Sequence, residues 1–245
     1  MTPTPRTPRP ATTWRLVVPV QRAERAKTRL VAPEGVDRVD LARAIAADTL
    51  DAVCRALPPA DVVVVTSDPV GAELAAGLGA RVVGDPGGGL NAAIGAGLEV
   101  AAQGGADRAP RVDRAGRAPA RPAEVAATPD GAWGVGVLLG DLPCLRPEDL
   151  LAALDICARH ERAVVPDAEG TGTVLLTARD AAPAPLFGRG SAARHARTAE
   201  VLGLDLPRLR RDVDTTADLR DAIRLGTGAR TARLLTPPDA EGSSA

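Results

Sequence analysis

The chain has 245 residues, 45% of them hydrophobic, with a formal net charge of −1 and a pI near 6.2. That apolar content is enough for one sizeable core, so one domain is expected. The balanced charge gives no basic field for nucleic acid, the 1% aromatic content leaves almost no base-stacking platform, and the apolar runs are too short to span a membrane.

The N-terminal MTPTPRTPRPATT lacks the apolar stretch of a signal peptide. Residues 1–13 read as a loose tail. WRLVVPV then reads as a buried strand. VDRVDLARAIAADTLDAVCRAL reads as an amphipathic helix with Leu41, Ile45, Ala46 and Val53 on one face. DVVVVTSD is a second strand, PVGAELAAGLG a short helix closed by Gly79, and RVVGD a third strand. GLNAAIGAGLEVAAQG is a helix. The stretch from about 104 to 130 is rich in Ala, Arg, Pro and Gly without periodicity and reads as a disordered insertion. WGVGVLLGD is the fourth strand. RPEDLLAALDICARH is a helix with Pro147 in its first turn. ERAVVPD, GTVLLTA and LRRDVD read as strands, TTADLRDAIRLG as a helix, and residues 236–245 as a second tail. The alternation argues for an α/β sheet, mainly parallel and covered on both faces. Ligands of such sheets sit at the carboxyl ends of the strands. Cys54, Cys144 and Cys157 lack metal-ligand spacing and read as small buried hydrophobes of a cytoplasmic protein.

Five stretches carry polar residues just after apolar runs. Lys27 is the only lysine in the chain, and it shares the loop after the first strand with Arg22, Arg25 and Arg29. A lysine is a compact point charge and an arginine a planar fork. A phosphate crowded against backbone accepts the first and rejects the second; the alternative is a plain solvated basic loop. In RRDVDTTADL, strand spacing puts Asp212 and Asp214 on one face, where a divalent cation would relieve their repulsion. Otherwise Asp214 merely caps the next helix. Asp141 ends the fourth strand and either joins that metal site or starts a turn. Gly87, Gly88 and Gly89 precede a helix whose free N–H groups attract anions, and Asn91 there is placed to read a base or sugar edge. Thr171, Thr173, Gly188, Gly190 and Ser191 supply hydroxyls and backbone N–H groups for a small anion. Ser191 and His195 lack a GxSxG elbow and a partner acid, which counts against nucleophilic catalysis.

In their order, VPV…AKTRL, LARAIAADTL, VVVVTSD, GLNAAI, GDLPCL, GTGTVLL, FGRGSAARH and RRDVDTTADL closely resemble the guanylyltransferases of coenzyme F420 biosynthesis. The likeness runs from Trp14 to Leu235 except for the insertion, so the guanylyltransferase domain is expected at 14–235. It implies a single-domain nucleotidyltransferase fold similar to glycosyltransferase A: an α/β/α sandwich on a central mixed, mainly parallel sheet. It implies a metal site, Mg²⁺, on Asp141, Asp212 and Asp214, and an acceptor pocket with Thr173, Gly188 and Ser191. Lys27, with Arg25 or Arg29, would hold the triphosphate of GTP. Where this family often has lysine, the chain has Gln21, which shifts weight onto Lys27. The implied reaction joins GMP from GTP to phosphoenolpyruvate or 2-phospho-L-lactate and releases pyrophosphate. Members with GC-rich, actinobacterium-like composition resemble the phosphoenolpyruvate users. Hand-over of the product to the next enzyme of the pathway is a further expectation. Two other readings compete: a nucleotidyltransferase for another small phosphate acceptor, such as a sugar phosphate or molybdopterin, and a nucleotide-binding regulator without turnover. The missing LAGGxGxRM-like loop counts against the first, and the intact acidic set against the second.

Overall fold

In this computed structural model, residues 12–106 and 133–236 are described. Most of both expected tails and most of the expected insertion lie outside the described residues. At their borders, strand β1 begins at Thr13 and helix α3 (Leu90–Ala106) runs through Ala106.

β1 (Thr13–Val20) buries seven of its eight residues. Full burial of Leu16, Val17, Val18 and Val20 contributes on the order of 1.5–3 kcal/mol each. β2 (Val62–Thr66) is equally apolar and pairs with β1 in parallel. β3 (Arg81–Gly84) adds to β2 in parallel and leaves Arg81 and Val82 exposed, as suits an edge strand. β4 (Trp133–Leu138) lies parallel on the other side of β1. β6 (Thr173–Arg179) then runs antiparallel between β4 and β5 (Arg162–Pro166), and β7 (Glu200–Val201) closes the row beside β5. The order is β3-β2-β1-β4-β6-β5-β7.

The strand period of two sorts the core into two layers. Leu16, Val18, Val20, Val62 and Val64 face α1 (Arg38–Ala56), α2 (Pro69–Gly77) and α4 (Pro147–Cys157). Val17, Val63, Val65, Val135 and Val137 face α3. The result is the expected α/β/α sandwich on a mixed, mainly parallel sheet.

This topology decides where a ligand sits. β5 is antiparallel to β6, which is antiparallel to β4, so β1, β4 and β5 all run the same way. The loops after those three strands and the first residue of β6 therefore share one edge. A Cβ at Gly140 would lie 2.7 Å from the Pro19 carbonyl oxygen, so only glycine lets the loop after β4 lie this close to β1.

One expected strand is not formed. In LRRDVD, Leu209 and Arg210 belong to a helical turn, α6 (Pro207–Arg210), and Arg211–Asp214 make no sheet ladder. Pro207 favours a helix start, and β7 already occupies the free side of β5. The Val213 N–H donates to the Asp141 carbonyl at 3.2 Å instead. Val213 is buried with Leu30, Leu41 and Leu219, so the in-out alternation survives without a strand. Five further elements had no sequence reading as such: the 3-10 turn Pro59–Asp61, the short helix Ser191–His195, β7, α6 and α8 (Ala229–Leu235). α8 is anchored by buried Asp48 of α1, whose carboxylate accepts the N–H groups of Arg230 and Thr231 at 3.0 and 2.8 Å.

Candidate active site

A cavity of about 740 Å³ opens at this shared edge. Its lining includes Gln21, Lys27 and Arg29 after β1, Asp141 after β4, Asp167 after β5, Thr173 at the start of β6, and Asp212 with Asp214.

The loop after β1 is stitched to α1. The Arg38 guanidinium donates to the carbonyls of Glu24, at 3.1 Å, and of Ala26. Asp68 accepts the Ala23 N–H at 3.1 Å. Burial alone would raise the Asp68 carboxyl; the N–H groups of Ala23, Val70 and Gly71, with Arg43, hold it below its usual value. Within this scaffold Lys27 takes φ 55°, a left-handed conformation that costs an L residue roughly 1–2 kcal/mol. Its side chain is only 9% exposed, and its ammonium bridges Asp141 and Asp214, the latter at 3.2 Å. Burial opposes its charge, but the two carboxylates more than compensate and raise its pKa. Arg29 reaches the second oxygen of Asp214 at 2.7 Å.

These cations do not match all the acid. Asp141 Oδ1 is buried without a hydrogen-bond partner. Asp212 is pushed up to about 8 by burial and then by Asp141, Asp167 and Asp214, against the opposing charge of Lys27. Asp167, Glu169 and Asp212 also bring carboxylate oxygens within 4.8 Å of one another. Of these, Asp167 is engaged by the N–H groups of Thr171 and Gly172 at 2.8 and 2.7 Å, and Glu169 by Arg211 at 2.6 Å. An orphaned buried oxygen beside an unmatched, half-buried carboxylate fits a hard divalent cation. Asp214 is available for that task because Thr215, not Asp214, caps α7 (Thr216–Leu225) in a reciprocal box with Asp218.

A second part of the lining carries hydroxyls. Ser191, the first residue of α5 (Ser191–His195), donates to Thr173 Oγ1 at 3.1 Å. His195 Nδ1 lies 2.9 Å from the same oxygen. Gly188 and Gly190 adopt φ 117° and 71°, conformations open to glycine, and place Arg189 on the cavity rim.

Residues 43–200 match the MobA-like NTP transferase domain. The phosphoenolpyruvate guanylyltransferase of Thermomonospora curvata is 45% identical over 228 residues, covering 91% of this chain and 88% of that protein. Its namesake in Streptosporangium roseum is 42% identical over 225 residues, covering 91% and 90%. The chain belongs to the phosphoenolpyruvate guanylyltransferase family. It is therefore a nucleotidyltransferase. A third family member, from Streptomyces coelicolor, is 45% identical over 228 residues, covering 90% of this chain and 95% of that protein. Likeness to solved structures is looser: 4-diphosphocytidyl-2C-methyl-D-erythritol synthase of Anaerococcus prevotii superimposes with a TM-score of 0.46 at 11% identity, covering 86% of this chain and 94% of that chain.

Of the candidate site residues, Lys27, Arg29, Asp141, Asp212, Asp214, Thr173, Gly188 and Ser191 line one cavity. Arg25 and Asn91 are not among its lining. Arg25 is exposed. Asn91 spends its amide on the Phe187 backbone, donating to the carbonyl at 3.1 Å and accepting the N–H at 2.8 Å, so it clamps the loop before Gly188. Sequence reading missed Asp167, although PDAEG carries the signal used for Asp141: an Asp closing an apolar strand. It also missed Arg38, whose role depends on carbonyls that no side-chain pattern reveals.

Proposed function

We propose that the chain transfers GMP from GTP to phosphoenolpyruvate, releasing pyrophosphate and forming enolpyruvoyl-diphospho-5'-guanosine for coenzyme F420 biosynthesis. One observation carries this reading: a family member holds a lone lysine between two carboxylates on one cavity wall and paired hydroxyls on the other. A phosphate oxygen of the acceptor attacks the α-phosphorus of GTP. A new P–O bond forms, the bond to the bridging oxygen breaks, and pyrophosphate leaves with the electron pair. The nucleophile is already an anion, so no general base is needed. The barrier to overcome is repulsion between two polyanions.

Lys27 and Arg29 would bind the triphosphate, Thr173, Ser191 and the Gly188 backbone would orient the acid, and buried walls would exclude water from the α-phosphorus. Mg²⁺ is the metal we assign to Asp141, Asp212 and Asp214; when bound, it supplies charge neutralisation at the triphosphate. Arg25, at the loop's outer side, is assigned at most a long-range attraction for GTP. We also assign the chain to the cytoplasm, with its product passed to the next pathway enzyme; separately, no helix among the described residues is long and apolar enough to cross a membrane.

The deciding assay is pyrophosphate release with Mg²⁺ and each of GTP, ATP, CTP and UTP, against phosphoenolpyruvate and 2-phospho-L-lactate offered separately. Release with GTP and phosphoenolpyruvate is expected. Preference for 2-phospho-L-lactate would reassign the acceptor. Silence with both acids, from folded protein that binds GTP, would favour a regulator.

A further inference from the structure

The reaction above leaves unused the buried polar group that contacts the Thr173 hydroxyl. His195 is 2% exposed and has both ring nitrogens engaged. The Leu186 backbone N–H donates to Nε2 at 2.9 Å. A backbone N–H can only donate, so Nε2 carries no proton. The single proton of the neutral ring must then sit on Nδ1, which faces Thr173 Oγ1 at 2.9 Å.

A proton count shows what this does. Thr173 and Ser191 own two hydroxyl protons. One is used between them, from Ser191 to Thr173. With His195 donating, both lone pairs of Thr173 Oγ1 are filled, and the Thr173 proton has no partner inside the triad. Thr173 lines the cavity, so that proton is left for a ligand. The other tautomer reverses the outcome. An unprotonated Nδ1 would take the Thr173 proton, Thr173 would take that of Ser191, and an incoming anion would meet lone pairs only.

We propose that His195 is a positioning residue: by keeping its proton on Nδ1, it holds one Thr173–Ser191 hydroxyl proton free for an anionic oxygen of the phospho-acid. This rests on the reading of that wall as the acceptor pocket. The imidazole is held in place by Phe187, whose ring meets it edge-on with centroids 4.9 Å apart. Burial, and then the charge of adjacent Arg194, pushes its pKa down to about 4, so the neutral form persists through the working pH range.

The chain has two histidines, and a His160→Gln variant leaves the resonances of His195 alone. Nitrogen-15 NMR of the ring should report the Nδ1–H tautomer, with no titration between pH 8 and pH 5. An Nε2–H tautomer, or a midpoint near 6.5 in the folded protein, overturns the proposal.

Kinetics supply the second arm. Asn places an amide donor where Nδ1 sits, while Gln places an acceptor where Nε2 sits. His195→Gln keeps the anchor to Leu186 but loses the donor. It should raise KM for phosphoenolpyruvate about tenfold, the size of one lost hydrogen bond to a charged group, with KM for GTP unchanged. His195→Asn should recover most of that loss. The reverse ranking would reduce His195 to a loop anchor. The two readings fail differently: wild-type enzyme silent with every phospho-acid removes the acceptor assignment, whereas turnover with the wrong tautomer or the reverse ranking removes only the role of His195.

Discussion

The two walls of the cavity are built on opposite principles. The wall of Lys27, Asp141, Asp212 and Asp214 is short of positive charge, with one buried carboxylate oxygen unpartnered and one carboxyl pushed up to about 8. The wall of Thr173, Ser191 and His195 has its hydrogen bonds assigned and its ring tautomer fixed. A site for two polyanions needs both. On the proposed assignment, the first wall would gain most from a cation and a triphosphate, and the second would orient a small acid with little reorganisation.

The comparison breaks most readily at the charged wall. Asp141→Ala should lower kcat about 10²–10³-fold, the usual cost of losing one preorganised electrostatic contact. It should also weaken Mn²⁺ binding measured by calorimetry. Unchanged metal affinity would move the cation to Asp167, Glu169 and Asp212. Next comes Lys27→Arg, which keeps the charge but forces a larger planar head between Asp141 and Asp214. We expect kcat/KM for GTP to fall roughly 10–100-fold, in line with the poor interchange of the two side chains. Near-normal turnover would sink the claim that the site demands lysine. On the hydroxyl wall, Thr173→Val should raise KM for phosphoenolpyruvate about tenfold while leaving GTP alone, and Thr173→Ser should recover most of it. A smaller effect sharpens the role of Asn91. Asn91→Ala should raise the acceptor KM only about threefold, as suits one loosened loop clamp, without changing the preference for GTP over ATP. A lost nucleotide preference would return Asn91 to base reading.

The mildest test is thermal. In the folded chain Asp212 is raised from 3.8 to about 8, so folding favours its protonated form. That contribution to stability is fully present below about pH 4 and is lost as pH rises to 8. The Tm of metal-free protein should therefore carry a downward component across that window. Asp212→Asn should remove it, and added divalent cation should offset it. An identical slope in wild type and variant would assign the pH dependence to other groups.

Much of this was legible in the sequence because parallel strands buried on both faces read as runs of Val and Leu. The strand-end rule then carried Lys27 and Asp141 to one edge. LRRDVD shows where such reading stops. The in-out alternation of Asp212, Val213 and Asp214 is real, but alternation records burial, not a ladder. No local signal revealed that β7 had taken the free edge of β5. His195 was set aside because it lacked the partners of a nucleophile's base; its meaning lies in a backbone N–H that only the folded loop supplies. α8 went unread for a similar reason, since its first N–H groups are held by Asp48, far away in sequence.

The grip on Lys27 has a practical side. The chain contains one ε-amine, and it is buried between carboxylates that keep it protonated. Amine-reactive probes need a free, neutral nitrogen, so that position should resist acylation in the folded enzyme. A reagent that does label Lys27 would mark loosening of its grip by Asp141 and Asp214, giving a gauge of the proposed triphosphate site for which no residue need be introduced.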